Sequence, residues 1–361
     1  MNENQEFENQ EVEIEDELGD ESEVIPFKYA ITSYGADYPI DGLVKRIANG
    51  SILVPPFQRG FVWNISQASR FVESLLLGLP VPGIFLSKEE ETQQLLVIDG
   101  QQRLRTLQYF YDGIFADTGH EFALKNVQKQ FEGVTYKNLK DEDRRRLDDS
   151  ILHATIVKQD EPSDDDSSIY HIFERLNTGG THLVPQEIRA CIYHGEFNDL
   201  LKQINQNKYW RLIYGKVNKR MRDQELILRF FAMFFDIRNY SRPMKDFLNK
   251  YMGKNRRLQL QSADQLTEIY SKIMQLIYES IGEKAFKPVR ALNAAVFDAV
   301  MTGIARRLEK NDIKDKKALR IKYEKLLKNE DFINATHTGT ADEKSVNNRI
   351  SLATIAYENL K

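Results

Sequence analysis

Between Leu95 and Leu107 the sequence LLVIDGQQRLRTL sets an aspartate, a glycine, two glutamines and an arginine directly behind an apolar run. A carboxylate, neutral amides and a forked cation in five consecutive residues suit phosphoanhydride chemistry. A guanidinium grips phosphate oxygens, an acceptor orients water, and a carboxylate holds Mg²⁺ through its hydration shell. Leu95, Leu96, Val97 and Ile98 read as a strand buried on both faces. Asp99 and Gly100 stop it, and Asp99 with Gln102 three residues on has the form of a capping box, so a helix is expected from near Gln101. Leu104, Leu107, Tyr111 and Ile114 continue at helical spacing to Gly113, which predicts Gln101, Gln102 and Arg103 in an exposed first turn. A strand, a glycine turn and a helix N-terminus gather backbone N–H groups into an anion site. The same pattern is also an ordinary strand-to-helix connection, and no G-x-x-x-x-G-K-[ST] motif occurs to decide between the two.

The elements that must position this turn can be read on either side of it. Ile40, Leu43, Val44 and Ile47 stripe a helix that Asp37 or Asp41 could cap. Val54-Pro55-Pro56 is extended, because the residue before a proline is pushed out of the helical region, and it delivers Phe57, Gln58, Arg59 and Trp63. A second capping box, Asn64 with Gln67, opens a helix burying Ala68, Phe71, Val72, Leu75 and Leu76. Ile84 to Leu86 pairs as a hairpin with the Leu95 strand, and Ile151 to Val157 is a further strand. Asp164, Asp165 and Asp166 precede a helix with Ile169, Ile172, Phe173 and Leu176 on one face and His171, Glu174 and Arg175 on the other, so they read as its cap and not as a metal site. No metal-ligand cluster is assigned.

Three strings in order, VPPFQRGFVW (54–63), IDGQQR (98–103) and IFERLNTGGTHLVPQEIR (172–189), resemble the N-terminal domain family of GmrSD-type modification-dependent restriction endonucleases. The resemblance implies an α+β, ParB- and sulfiredoxin-like fold with a small mixed sheet, followed here by an all-α domain. It implies a nucleotide-binding, nucleotide-hydrolysing module of a prokaryotic anti-phage or restriction-modification system that acts on or senses DNA. The cofactors it implies are an NTP of unspecified base and Mg²⁺. The expected catalytic groups are Asp99, Gln102 and Arg103. Gln58, Arg59, Trp63, Gly100, Gln101, Arg175 and Asn177 are the expected nucleotide- and phosphate-binding residues, the last two only if their helix packs beside the turn. The alternatives are a non-catalytic DNA-binding adaptor and a stand-alone nuclease. The second is disfavoured because no HNH-type grouping of His with Asn and Cys occurs in the last 150 or so residues, where His337 stands alone. A separate nuclease or effector subunit is therefore an expected partner, and self-association is left open.

Composition frames this reading. The chain has 361 residues and one cysteine, Cys191, which excludes an internal disulfide and a cysteine-based zinc site. Neither an apolar run long enough to span a bilayer nor a signal peptide is seen, so a cytoplasmic protein without membrane contact is expected. The formal charge of −4 conceals an asymmetry. Residues 1–25 carry eleven Asp or Glu and no Lys or Arg, and the rest of the chain is about +7. Such a leader is expected to be disordered and could lie over a basic groove, competing with nucleic acid. The expected domains are thus the leader (1–25), the motif domain (26–195) and a helical domain (196–361). Between Lys208 and Arg257 stand fourteen Lys or Arg against four Asp or Glu, interleaved with Trp210, Tyr214, Tyr240 and Tyr251. That mixture suits phosphate neutralisation and base stacking, and Lys216, Lys219, Arg220 and Arg222 are the expected nucleic-acid contacts.

Overall fold

Two long strands, near residues 30–39 and 151–161, pair along one side of the sheet in the computed structural model, which describes residues 14–15, 30–54, 61–89, 92–161, 167–176 and 183–361. The chain divides into two units, residues 28–192 and residues 193–361 together with 1–27. Strands are numbered from a short one, Ile14–Glu15 (β1), which belongs to the second unit. In the first unit Ala30–Pro39 (β2), Ile52–Leu53 (β3), Ile84–Lys88 (β4) and Leu95–Asp99 (β5) are followed by the small hairpin Ile114–Phe115 (β6) and His120–Glu121 (β7), and then by Ile151–Glu161 (β8). The main sheet runs β2-β8-β4-β5-β3. Its β2/β8 and β4/β5 pairs are antiparallel and its β8/β4 and β5/β3 pairs parallel. The expected hairpin onto the Leu95 strand is the β4/β5 pair.

Helices Ile40–Ala48 (α1), Ile65–Leu76 (α2), Gln101–Asp112 (α3) and Asp141–Asp149 (α4) build one core with the sheet. Leu43, Val72, Val97, Leu104, Leu107 and Phe110 are fully buried in it. Leu96 and Ile98 are buried outside that cluster, and Ser167–Leu176 (α5) packs against β5 and β8, with Pro185–Ile192 (α6) against α5. Cover on both sides is what the unbroken apolar run of β5 requires, since successive side chains alternate in direction. The Asn64 capping box forms as read: Asn64 Oδ1 accepts from Gln67 N–H at 2.9 Å, and Gln67 Oε1 accepts from Asn64 N–H at 3.0 Å. The cap expected of Asp37 or Asp41 does not form, because Pro39 leads into α1 and Asp41 pairs with Lys45 instead.

The second unit is helical: Glu196–Ile204 (α7), Lys208–Tyr214 (α8), Arg222–Asp236 (α9), Met244–Lys254 (α10) and Ala263–Ser280 (α11) precede the short strand Leu292–Asn293 (β9). Ala294–Leu308 (α12), Lys316–Leu326 (α13), Glu330–His337 (α14) and Glu343–Tyr357 (α15) complete it. α12 begins only after Asn293, which caps it by accepting from Val296 N–H at 2.9 Å, while Val289 upstream is exposed. α12 is central and buried on nearly every side. Within it Asp298 receives Arg229 Nη2 at 2.7 Å and Arg349 Nη2 at 3.1 Å, all three side chains being buried. The fold class is therefore α+β with a helical second part. Among the described residues no helix is long and apolar enough to cross a membrane.

Candidate functional site

The β5–α3 turn differs from its sequence reading in how it is closed. Gly100 itself is the N-cap residue, in the left-handed region at φ 102°, and no side-chain cap forms. A side chain there is excluded twice, by that φ and by crowding: a Cβ would stand 2.4 Å from Ile84 Cγ2. Asp99 does not cap α3, because its carboxylate turns to Arg103, which donates from Nη2 at 2.7 Å. The same Nη2 donates to the carbonyl of Gly83 at 3.0 Å, and Arg103 Nε is buried without a partner among the described residues. Arg103 is thus a half-buried clamp between the end of β5 and the approach to β4. The exposed first-turn side chain that helical spacing predicted is not what forms. Its side chain is 15% exposed while that of Asp99 is 44% exposed, so the pair offers solvent its carboxylate more than its cation.

The other first-turn residues are also engaged. Gln101 is buried. Gln102 Oε1 accepts from the backbone N–H groups of Val62 at 3.0 Å and Trp63 at 3.3 Å, fastening the segment that follows the Pro-Pro pair onto the turn. Trp63 packs edge-on against Phe71 at 5.7 Å. Gln58, Arg59 and Asn177 lie outside the described residues, so only the C-terminal end of the first motif is placed. Arg175 is exposed in the last turn of α5, on the helix that packs against β5 and β8. Asp99, Gly100, Gln101, Gln102, Arg103 and Trp63 therefore come together.

One pair was not legible in sequence. His153 Nδ1 lies 2.7 Å from Asp37 Oδ1, both side chains being well exposed. The parallel register that sets Ile84 beside Ala154 sets Gly83 beside His153, so this pair stands at the sheet end where Gly83 accepts from Arg103. A β2/β8 register was needed to bring residues 116 positions apart together, and no local signal encodes it. Farther along α3, Asp148 accepts from Tyr111 at 2.6 Å and Tyr136 at 3.0 Å, and the two rings stack at 4.1 Å. Burial first, and the bond to Asp148 second, push the Tyr136 phenol up to about 12 and raise that of Tyr111 further.

In the helical unit, Lys216, Lys219, Arg220 and Arg222 lie on the loop between α8 and α9 and at the start of α9. Fully buried Asp223 organises this loop: Oδ2 accepts from Asn205 Nδ2 at 2.9 Å, Arg211 Nη1 at 3.0 Å and Asn218 N–H at 3.1 Å. Lys216 and Lys219 are exposed, and Arg220 and Arg222 are half-buried. The interleaved aromatics serve otherwise than expected. Trp210, Tyr214, Tyr240 and Tyr251 are all buried, so they are core and not a stacking platform. Among the described residues no group of three or more His, Cys, Asp or Glu is placed to hold a metal ion.

A five-stranded mixed sheet with a glycine-closed strand-to-helix turn and a polar, ion-paired first helical turn defines the class of the first unit. Residues 40–194 match the family described as the GmrSD restriction endonuclease, N-terminal domain. An uncharacterized protein of Methanocaldococcus jannaschii is 30% identical over 112 residues, covering 25% of this chain and 18% of that protein. The chain thus spans under a fifth of the length of the curated relative it matches.

Proposed function

We propose that the first unit binds the phosphates of a nucleoside triphosphate at the β5–α3 turn and promotes their hydrolysis, within a restriction or anti-phage system. The helical unit contacts nucleic acid in the same reading. The observation that carries it is the turn itself: a helix N-terminus closed by glycine without a side-chain cap, with the Asp99–Arg103 pair across it. The groups present fit a phosphate-bearing ligand. Arg103 is held in place by the Gly83 carbonyl, and its Nε is a buried donor without a partner among the described residues. Asp99 is the anion that now occupies the cation, and its open side suits a hydrated Mg²⁺ carried by the nucleotide. Mg²⁺ would supply charge neutralisation on the phosphates. Gln102 holds the 61–63 segment against the turn, and Asp99 is the candidate acceptor for a water proton.

Titrating the full chain with ATP, GTP and CTP, with and without Mg²⁺, tests the proposal. At least one should bind below millimolar concentration, and binding of none would remove it. A second reading, a non-catalytic adaptor, is favoured by the same Arg103 clamp, since a guanidinium tied to Asp99 and Gly83 can be structural. In that case nucleotide turnover is absent while DNA binding by the helical unit persists.

A further inference from the structure

Residues 1–27 group with the helical unit, and the contact described between them is a strand. β1 pairs in parallel with β9, Ile14 beside Leu292 and Glu15 beside Asn293. From there a chain of contacts leads to the basic loop. Asn293 N–H donates to the Phe286 carbonyl at 2.9 Å, which folds the segment carrying Lys284, Lys287 and Arg290 back beside β9. Lys287 Nζ then donates to the Ile213 carbonyl at 3.1 Å, in the last turn of α8, directly before the loop of Lys216 and Lys219. Lys284, Arg290, Lys216 and Lys219 are all exposed.

We infer that this face of the helical unit is a docking surface for an acidic extended strand, that its occupant is the chain's own residues 1–25, and that the occupant excludes polyanions from the surface. Charge complementarity and reach both support it. Within five residues of the pairing stand Glu11, Glu13, Asp16, Glu17 and Asp20, none more than about 17 Å of chain from it. Glu11, Glu13, Asp16 and Glu17 stand no more than three residues, about 10 Å of chain, from the pairing, which is about one screening length at ordinary ionic strength. Backbone pairing supplies the register and the charges supply the competition, as in recognition by strand addition. Tethering makes the competitor effectively concentrated even where each contact is weak. The inference rests on the nucleic-acid part of the proposed function and not on the nucleotide turn.

The test measures binding of a fluorescent twenty-nucleotide oligodeoxynucleotide, single-stranded in one arm and duplex in the other, across a salt series. The full chain is compared with a full-length variant carrying Glu11→Gln, Glu13→Gln, Asp16→Asn, Glu17→Gln and Asp20→Asn. That variant should bind about tenfold or more tighter at low salt, with a steeper salt slope, because the uncovered cations now release counterions from the nucleic acid. A chain lacking residues 1–25 should do the same, its folding checked by circular dichroism. A synthetic peptide of residues 1–25 should displace the oligonucleotide from the truncated chain, and the same peptide with Ile14→Pro, which cannot pair normally with β9, should do so at least several-fold less well. Unchanged affinity and slope on neutralisation, or no binding by any form, would overturn the inference. Equal competition by the two peptides would overturn the docking strand. None of these readings involves a nucleotide or a residue of 28–192, so they fail separately from the turn.

Discussion

At Arg103 one guanidinium holds two jobs that pull in different directions. It ties β5 to the approach to β4 through Asp99 and the Gly83 carbonyl, and it is a cation in the first turn of α3. Arg103→Ala should therefore cost about 1–3 kcal/mol of stability, because the charge-assisted bond to Asp99 is lost and the half-buried Gly83 carbonyl loses this donor. The exposed side chain that helical spacing predicts would be lost with almost no effect on stability, and thermal denaturation decides between the two. Asp99→Asn separates binding from chemistry by sign. Without Mg²⁺ the variant should bind nucleotide more tightly than wild type, since a competing anion is gone; with Mg²⁺ it should lose hydrolysis, since the acceptor and the ion's anchor are gone. Weaker binding in both conditions would make Asp99 a structural partner only. Gly100→Ala should cost about 3 kcal/mol or more, the sum of a left-handed φ and the clash with Ile84. Combining it with Ile84→Ala should recover part of that loss in a double-mutant cycle.

Among the elements, local chemistry was legible and closure was not. The β5 run, the Asn64 capping box, the Gly113 stop and the β4/β5 hairpin all follow from patterns within a few residues, and each forms. Asp99 and Gln102 obey the same capping rule on paper. They miss it because Arg103 and the backbone of residues 62–63, one i+4 and the other 39–40 positions away, are better partners. The His153–Asp37 pair and the Asp148 cluster depend on strand register and helix packing, which no window of sequence contains. The Asp148 cluster predicts a pH effect with a defined sign. Tyr136 has its folded pKa raised to about 12 from 10.0, so its contribution to stability is complete below pH 10 and is lost as pH rises through about 12. Relative to wild type, Tyr136→Phe should lose less stability between pH 10 and 12, measured by urea unfolding. An identical decline in both proteins would show that the phenol's proton is not linked to folding.

For the molecule as a whole, the two units have different kinds of core. The first is a sheet covered by helices and the second is built around α12, with two arginines and one aspartate buried in it. Asp298→Asn leaves Arg229 and Arg349 without their carboxylate and should cost about 3–5 kcal/mol, confined to the helical unit. Limited proteolysis of that variant should open sites in residues 193–361 first, while Gly100→Ala should open sites in 28–192 first. Cleavage of both units in parallel by either variant would show that they unfold as one. The basic loop belongs to the second unit and the turn to the first, so nucleotide binding and nucleic-acid binding are separable by mutation in this account.

The most direct test of the nucleotide turn is equilibrium binding of the three triphosphates to Arg103→Lys, paired with its melting temperature. Lysine keeps the charge and one bond to the Gly83 carbonyl or Asp99, but not the planar fork that grips a phosphate in bidentate fashion. The account predicts a nucleotide affinity about tenfold or more below wild type, with a melting temperature that stays within a few degrees. Wild-type affinity in a variant whose melting temperature falls sharply would contradict it, and would make Arg103 a clamp of the fold and not a ligand of phosphate.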